Sequence, residues 1–308
     1  MTKLRIATRK SPLALRQSEL VGAALRARHP NLTIELCPFS TQGDENLTAN
    51  LAEIGGKGLF IKALEQAILE DKADIAVHSA KDMPAELLSP FAMMTALPRA
   101  DARDVLVCSR YHNFKALPSG ARVGTSSLRR QAQLHHSRAD IIIEPLRGNI
   151  NTRLKKLEQG QYDAIVLAAA GLERLDLRHV ICQYFNSAEL LPAIGQAALM
   201  VEYHQEKQEV ADVIKTICDI DTQQCISAER VVAQHLHADC HSPVAAHACI
   251  LEDELNIHAL VASVDGKKVI TATAKGTATQ AERLGKQVAV DLIDQGANTF
   301  IHHHEISE

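Results

Sequence analysis

The sequence predicts an α/β protein, with two α/β domains flanking a cleft and a small α+β domain at the C-terminus. Three observations predict it. Residues 1–98 alternate strand-like and helix-like segments, residues 103–192 repeat that alternation, and residues 220–308 change to a run of strands closed by a helix. Leu199–Tyr203 is a further strand-like segment placed to return to the first sheet. The first domain is therefore expected to be discontinuous, with a return segment at about 198–218.

Leu4–Ala7 is a short apolar strand. Ser11 then offers an N-cap oxygen, and Pro12 suits a first helical position whose N–H has no partner, so a helix starts there and runs to about Arg28. Leu32–Leu36 alternates as a second strand, and the polar stretch from Ser40 reads as a mobile loop over 40–56. A helix follows near Phe60–Glu70, with Leu64, Ala67 and Ile68 on one face. Asp74–Val77 is a third strand, and His78-Ser79-Ala80-Lys81-Asp82 follows its carboxyl end, the end at which open α/β sheets bind ligands.

In the second domain Val105–Val107 and Arg122–Val123 are strands, and Gly124-Thr125-Ser126-Ser127 opens a helix through Arg129 and Arg130. Ile141–Ile143 is a strand, followed by Arg147-Gly148-Asn149 and a helix to about Glu158. Asp163–Leu167 and Ala168–Leu175 repeat the strand and helix, and Pro192–Gln196 is a connector. In the last domain a helix near Ser227–His237 precedes a loop with Cys240. Ala245–Leu251, Ile257–Val264 and Lys268–Ala274 are three strands, with Asp265-Gly266 as a hairpin turn, and Thr279–Asp294 is the closing helix.

The chain has 308 residues, 46% of them apolar, which suits sizeable cores. No apolar run approaches the roughly 20 residues of a membrane helix, and no apolar signal segment follows the early basic residues, so a cytoplasmic location and no membrane partner are expected. Aromatics at 3% and a net charge of -4 argue against nucleic acid as a partner. Local clusters at Arg129-Arg130, Arg147 and Arg153 suit small anions instead. None of the seven cysteines forms a C-x-x-C, which argues against a zinc knuckle or dithiol site, and most read as small buried hydrophobes. His302-His303-His304 is followed at once by Glu305, and no metal site is expected there or elsewhere.

Several residue types carry chemistry, each with a plainer alternative. A helix start beside Arg129 and Arg130 combines free N–H groups with guanidinium forks, a fit for carboxylate or phosphate. A solvated charged face is the alternative, weakened because Arg147 and Arg153 repeat the arrangement at the next strand-to-helix junction. Gly55-Gly56-Lys57-Gly58 lacks the phosphate-loop pattern, although its lysine could meet an anion. Asp82 can stabilise a cation or move a proton; a helix cap or an ion pair is equally open. Cys240 is a nucleophile or a loop cysteine without a role, and His241 beside it could favour a thiolate.

Several long motifs, in order, resemble the porphobilinogen deaminase (hydroxymethylbilane synthase) family over almost the full length. They are Arg5–Leu15, Gly55–Phe60, Ala73–Pro84, Val123–Gln131, Leu146–Asn149 and Thr152–Leu154. The resemblance implies two periplasmic-binding-protein-like α/β domains plus a third, cofactor-carrying one. It implies a transferase of heme and tetrapyrrole biosynthesis, working as a monomer on porphobilinogen. Each porphobilinogen loses ammonia and joins a chain growing on a covalently bound dipyrromethane, and hydrolysis releases hydroxymethylbilane. By residue matching it implies Asp82 as the catalytic carboxylate and Cys240 as the covalent cofactor anchor. Lys81, Asp82, Ser127, Arg129 and Arg130 are implied for the cofactor, and Arg9, Ser11, Arg147, Arg153 and Arg174 for the substrate.

The chain departs from the family pattern at supporting positions. Ala238-Asp239 replaces two glycines before the cysteine, and His241-Ser242-Pro243 replaces Gln-Val-Pro after it. Gln42 stands where Arg is usual, Gln196-Ala197-Ala198 replaces Gln-Gly-Ala, and a cysteine pattern near Val201–His204 is gone. Competing expectations are a non-catalytic two-lobed binding protein for an anionic molecule, a weakened paralogue, and a thiol hydrolase built on Cys240.

Overall fold

Ser11 and Pro12 start the first helix as their chemistry dictates. The Ser11 backbone is extended, and its hydroxyl accepts the Ala14 N–H at 3.3 Å. The computed structural model describes residues 1–40, 58–87, 89–239 and 242–301. The loop expected over 40–56, Gln42, the Gly55–Gly58 lysine, Cys240, His241 and the His302–His304 tract therefore lie wholly or mostly outside the described residues.

The chain divides into two compact units, one of residues 1–99 and 198–223, the other of residues 100–197 and 224–308. In the first unit β1 (Lys3–Arg9) pairs in parallel with β2 (Thr33–Phe39) and β3 (Ile75–Ser79). Strand β10 (Leu199–His204) inserts antiparallel between β3 and β4 (Phe91–Ala96), which gives the order β2-β1-β3-β10-β4. One face buries Leu4, Ile6, Ile75 and Val201 against α1 (Pro12–Arg28) and α6 (Gln208–Lys215). The other buries Ala7 and Ala76 under Leu64, Ala67 and Ile68 of α2 (Gly58–Leu69), the face the spacing marks as apolar.

The second unit repeats the plan with β7-β6-β8-β5-β9. Here β6 (Arg122–Gly124) pairs in parallel with β7 (Ile142–Glu144) and β8 (Ala164–Ala168), and β5 (Asp104–Val107) lies antiparallel between β8 and β9 (Gln183–Tyr184). Residues alternate between two cores: Leu106 and Val166 pack with Leu134 of α3 (Leu128–Ser137), while Val105, Val107, Ile165 and Leu167 pack with Leu172 of α5 (Ala169–Arg174). Helix α4 (Ile150–Glu158) lies over that second core through Ile150, Leu154 and Leu157.

The C-terminal part forms a meander of β11 (Val244–Leu251), β12 (Glu254–Ala262) and β13 (Val269–Thr277). Its inner face buries Ala246, Ala248, Ile257 and Ala259 against α7 (Ile220–His235) and α8 (Ala281–Asp294).

The expected fold class, two α/β domains flanking a cleft with a separate small α+β domain, is corrected on this point. The meander belongs to the same compact unit as the second five-stranded sheet. Ala245, Leu260 and Ala262 share a buried cluster with Ala132 of α3 and Leu191. Glu229, fully buried on α7, accepts the Gly195 N–H through Oε2 and the Ala248 N–H through Oε1, both at 2.7 Å. The 265–266 turn also docks on α3, where the Gly266 carbonyl lies 3.0 Å from His136 Nδ1. A Cβ on Gly266 would stand 2.5 Å from the Ala132 carbonyl oxygen and 2.6 Å from the His136 nitrogen, both backbone, at a φ of +71°. Gly266→Ala is therefore expected to destabilise the chain by about 1–3 kcal/mol through overpacking alone, with the left-handed strain added. An unchanged urea midpoint would contradict this docking.

Ala197 occupies the left-handed region at φ 72°, a conformation glycine adopts freely and alanine adopts at a cost of about 1 kcal/mol.

Candidate active-site groups in the two units

The first unit presents its group at the carboxyl ends of β1 and β3, which run side by side through Ile6–Ile75 and Ala7–Ala76. Arg9 closes β1, and Ser11 caps α1 directly after it. After β3 the chain makes a single tight turn, Ala80–Asp82, anchored by Ala80 N–H on the Ala198 carbonyl at 3.0 Å and closed by Met83 N–H on Ala80. This leaves Asp82 exposed and Lys81 half-buried at the strand end. Gln17, buried on α1, donates to Ser79 Oγ at 2.8 Å and fastens the helix to the base of the turn.

Sequence reasoning missed a buried pair just behind this turn. His78 Nε2 lies 3.0 Å from Glu202 Oε2, and Glu202 is fully buried with Oε1 lacking a hydrogen-bond partner. Burial, with the Glu202 charge adding to it, raises the Glu65 carboxyl above its ordinary value. A glutamate inside an apolar strand was the signal for this pair.

The second unit gathers the arginines at the carboxyl ends of β6, β7 and β8. Ser127 is the N-cap of α3 and accepts the Arg130 N–H at 3.5 Å. Arg129 and Arg130 follow it but turn inward, only 4% and 6% exposed. Both meet Asp104, fully buried at the start of β5, through separate oxygens at 2.7 Å. Arg130 adds the Val166 carbonyl at 2.9 Å, and Arg129 adds the Leu191 carbonyl at 2.6 Å while its Nε has no hydrogen-bond partner. Gln196, also buried, donates to Asp104 Oδ1 at 3.0 Å and to the Ala102 carbonyl at 2.7 Å. Two guanidinium groups thus share one carboxylate, and burial, followed by the neighbouring Arg130 charge, lowers the Arg129 pKa although Asp104 opposes it.

Arg147 is exposed after β7, and Arg153 on α4 donates to the Gly148 carbonyl at 2.7 Å. Arg174, at the end of α5, donates to the Ala197 carbonyl at 2.6 Å, and burial brings its pKa down to about 10. Arg230 on α7 is lowered by burial as well. Asp104 went unnoticed in the sequence, where it reads as the polar start of a strand. Asp104→Asn keeps its shape and removes its charge. It is expected to cost about 3–5 kcal/mol, because two buried guanidinium groups lose their counter-charge. Thermal and urea unfolding would read that loss, and an unshifted midpoint would sink it.

Asp82, Lys81, Arg9 and Ser11 thus follow neighbouring strands of the first unit, and Ser127 and the five arginines belong to the second. Asp239 Oδ1 accepts the Ser242 hydroxyl at 2.9 Å, so that carboxylate is engaged by a near neighbour in sequence. The donor set of the second unit fits a polycarboxylate. Arg129 and Arg130 are buried, they outnumber the carboxylate they share, and the Arg129 Nε still has a hydrogen to give.

These features define an α/β protein equipped to hold small polyanions at the carboxyl ends of its strands. The family model for the porphobilinogen deaminase dipyromethane cofactor binding domain matches residues 4–212, and that for the porphobilinogen deaminase C-terminal domain matches residues 223–294. The chain is 51% identical over 297 residues to the porphobilinogen deaminase of Xanthomonas euvesicatoria pv. vesicatoria, covering 96% of this chain and 98% of that one. It is 50% identical over 301 residues to that of Stenotrophomonas maltophilia, covering 98% and 99%. The chain belongs to the porphobilinogen deaminase family. It is an enzyme, a transferase of tetrapyrrole biosynthesis with porphobilinogen deaminase activity, and the competing binding-protein reading falls away. Membership implies a dipyrromethane cofactor and porphobilinogen as substrate.

Among solved structures the chain is similar to the periplasmic VFT2 domain of BvgS from Bordetella pertussis, at 15% identity and a TM-score of 0.44, over 70% of this chain and 86% of that one. It is also similar to the alkanesulfonate-binding protein SsuA from Xanthomonas axonopodis pv. citri, bound to MOPS, at 14% identity and a TM-score of 0.41, over 76% and 74%. Likenesses this distant bear on neither substrate nor mechanism.

Proposed function

We propose that the chain joins four porphobilinogen molecules, one at a time, onto a dipyrromethane anchored through the Cys240 sulfur. Ammonia leaves at each addition, and hydrolysis releases hydroxymethylbilane. The observation that carries the residue assignment is the excess of desolvated cations in the second unit, with Arg129 and Arg130 sharing the single carboxylate of Asp104. Carboxylates of the cofactor supply the missing negative charge, held by Arg129, Arg130 and Lys81, with Ser127 shaping the start of α3. Arg9, Ser11, Arg147, Arg153 and Arg174 take the acetate and propionate groups of the substrate and the growing chain. The guanidinium fork matches such groups with two parallel hydrogen bonds.

When bound, the dipyrromethane supplies the free α-position at which the chain grows. Asp82, exposed on its turn, places a carboxylate where a pyrrole N–H and the positive charge left by departing ammonia can meet it. The same carboxylate serves each round because each round is the same reaction. The chain acts as a monomer in this scheme. The test is the intact mass of protein made in cells that synthesise porphobilinogen, measured beside turnover. The expected result is an added dipyrromethane in active protein; active protein at the bare polypeptide mass would refute the covalent cofactor.

A further inference from the structure

Two cysteines in the second unit, 74 positions apart in sequence, meet at the edge of its sheet. Cys108 follows β5 and Cys182 precedes β9, and Cys182 N–H donates to the Leu106 carbonyl at 3.0 Å, extending the β5–β9 pairing to the thiols. Their sulfur atoms are 3.2 Å apart. The Cys108 backbone N–H lies 3.2 Å from Cys182 Sγ, and the Cys108 thiol donates either to that same sulfur or to the Tyr111 carbonyl at 2.8 Å. When neutral, the Cys182 thiol donates to the Cys108 carbonyl at 2.7 Å. Two donors of Cys108, its backbone N–H and its thiol, thus converge on Cys182 Sγ. Cys182 is half-buried and Cys108 buried. Burial, followed by the Cys182 thiol, pushes Cys108 up to about 12. Cys182, the more accessible of the two, is the one a solute disulfide meets first, and buried Cys108 stands behind it to resolve.

We propose that Cys108 and Cys182 form a redox-active dithiol that a low-molecular-weight disulfide oxidises to an intramolecular disulfide. The Cys182 sulfur, giving up its proton, attacks one sulfur of the oxidant, forms a mixed disulfide and displaces a first thiolate, which takes up that proton. Cys108 sulfur then attacks Cys182 Sγ, the mixed disulfide breaks, and the second departing thiolate takes the Cys108 proton. Two protein thiols lose two protons and two electrons in all, and one small disulfide takes them up to become two thiols. The sulfurs need approach by only about 1 Å to reach bonding distance. Strand β9 is two residues long, so the bond would pin a short edge strand to β5.

The experiment treats reduced, full-length protein with glutathione disulfide, traps remaining thiols by alkylation, and maps peptides by mass spectrometry. The expected product is a cross-linked peptide pair containing Cys108 and Cys182, two hydrogens lighter than the reduced pair. Cys108→Ser is expected to retain glutathione on Cys182, since the resolving thiol is gone. Cys182→Ser is expected to leave Cys108 free for alkylation after unfolding. Recovery of both cysteines of the parent as free thiols, or of glutathione held on Cys182 without a cross-link, would overturn the proposal. The parent measurement decides the matter even if a variant fails to fold.

Discussion

Cys240→Ser is expected to yield a folded chain that carries no dipyrromethane and does not turn over porphobilinogen. A serine hydroxyl is almost wholly protonated at neutral pH and is a far weaker nucleophile than a thiol, so formation of the anchor should fall by roughly 10³-fold or more. The placement of the other six cysteines supports this choice. Cys225 is buried in the core under the C-terminal meander, and Cys108 and Cys182 hold each other. The Cys218 thiol donates to the Thr95 carbonyl at 3.0 Å and is raised by burial, and Cys37 is raised by burial and then by Glu35. Cys249 is half-buried within β11. Peptide mapping of parent and variant is the check. A modified peptide at any other cysteine, or full activity in the variant, would displace Cys240 from its role.

Asp82→Asn should separate chemistry from binding. The side chain is exposed on a one-turn element whose anchors are backbone hydrogen bonds, Ala80 to Ala198 and Met83 to Ala80, so the amide should leave the fold intact. What is lost is a full negative charge facing a developing cation. Where bound substrate excludes water, losing one such electrostatic contact commonly costs about 3–4 kcal/mol, or 10²–10³ in rate. Single-turnover product formation by cofactor-loaded variant should slow by about that factor, while substrate affinity, set mainly by the arginines, should change much less. A rate within about twofold of the parent would remove Asp82 from the chemistry.

Local chemistry was legible wherever it acts within a few residues. The Ser11-Pro12 helix start, the turn at Asp265-Gly266 and the apolar face of α2 are all set by near neighbours, and the structure has them where the sequence puts them. The short strands β4 and β9 were not legible. Residues Phe91–Ala96 show no alternation, and Gln183–Tyr184 is too short to show any, so pairing with β10 and β5 decides both. The burial of Arg129 and Arg130 was equally hidden. Helix-start arginines read as open clamps until Asp104, 26 positions before Arg130, is seen to draw them inward. The fusion of the C-terminal meander with the second sheet rests on Ala132, Ala245, Ala262 and Gly266, small residues whose contribution lies in how closely two backbones approach.

The late arrival of β10 has a consequence for synthesis on the ribosome. β3 and β4 are both made by residue 96, yet the strand that belongs between them starts at Leu199. Until then each waits with an unsatisfied edge, exposing backbone groups ready to pair with another chain. Across that interval the nascent polypeptide makes all five strands of the second sheet, which receive their own neighbours in a shorter span. The N-terminal sheet is thus expected to mature after the sheet encoded behind it, an inversion of the usual order in which domains emerge and fold. Fragments ending just before residue 199 should aggregate more readily than those ending after α6, in which β10 fills the gap between β3 and β4.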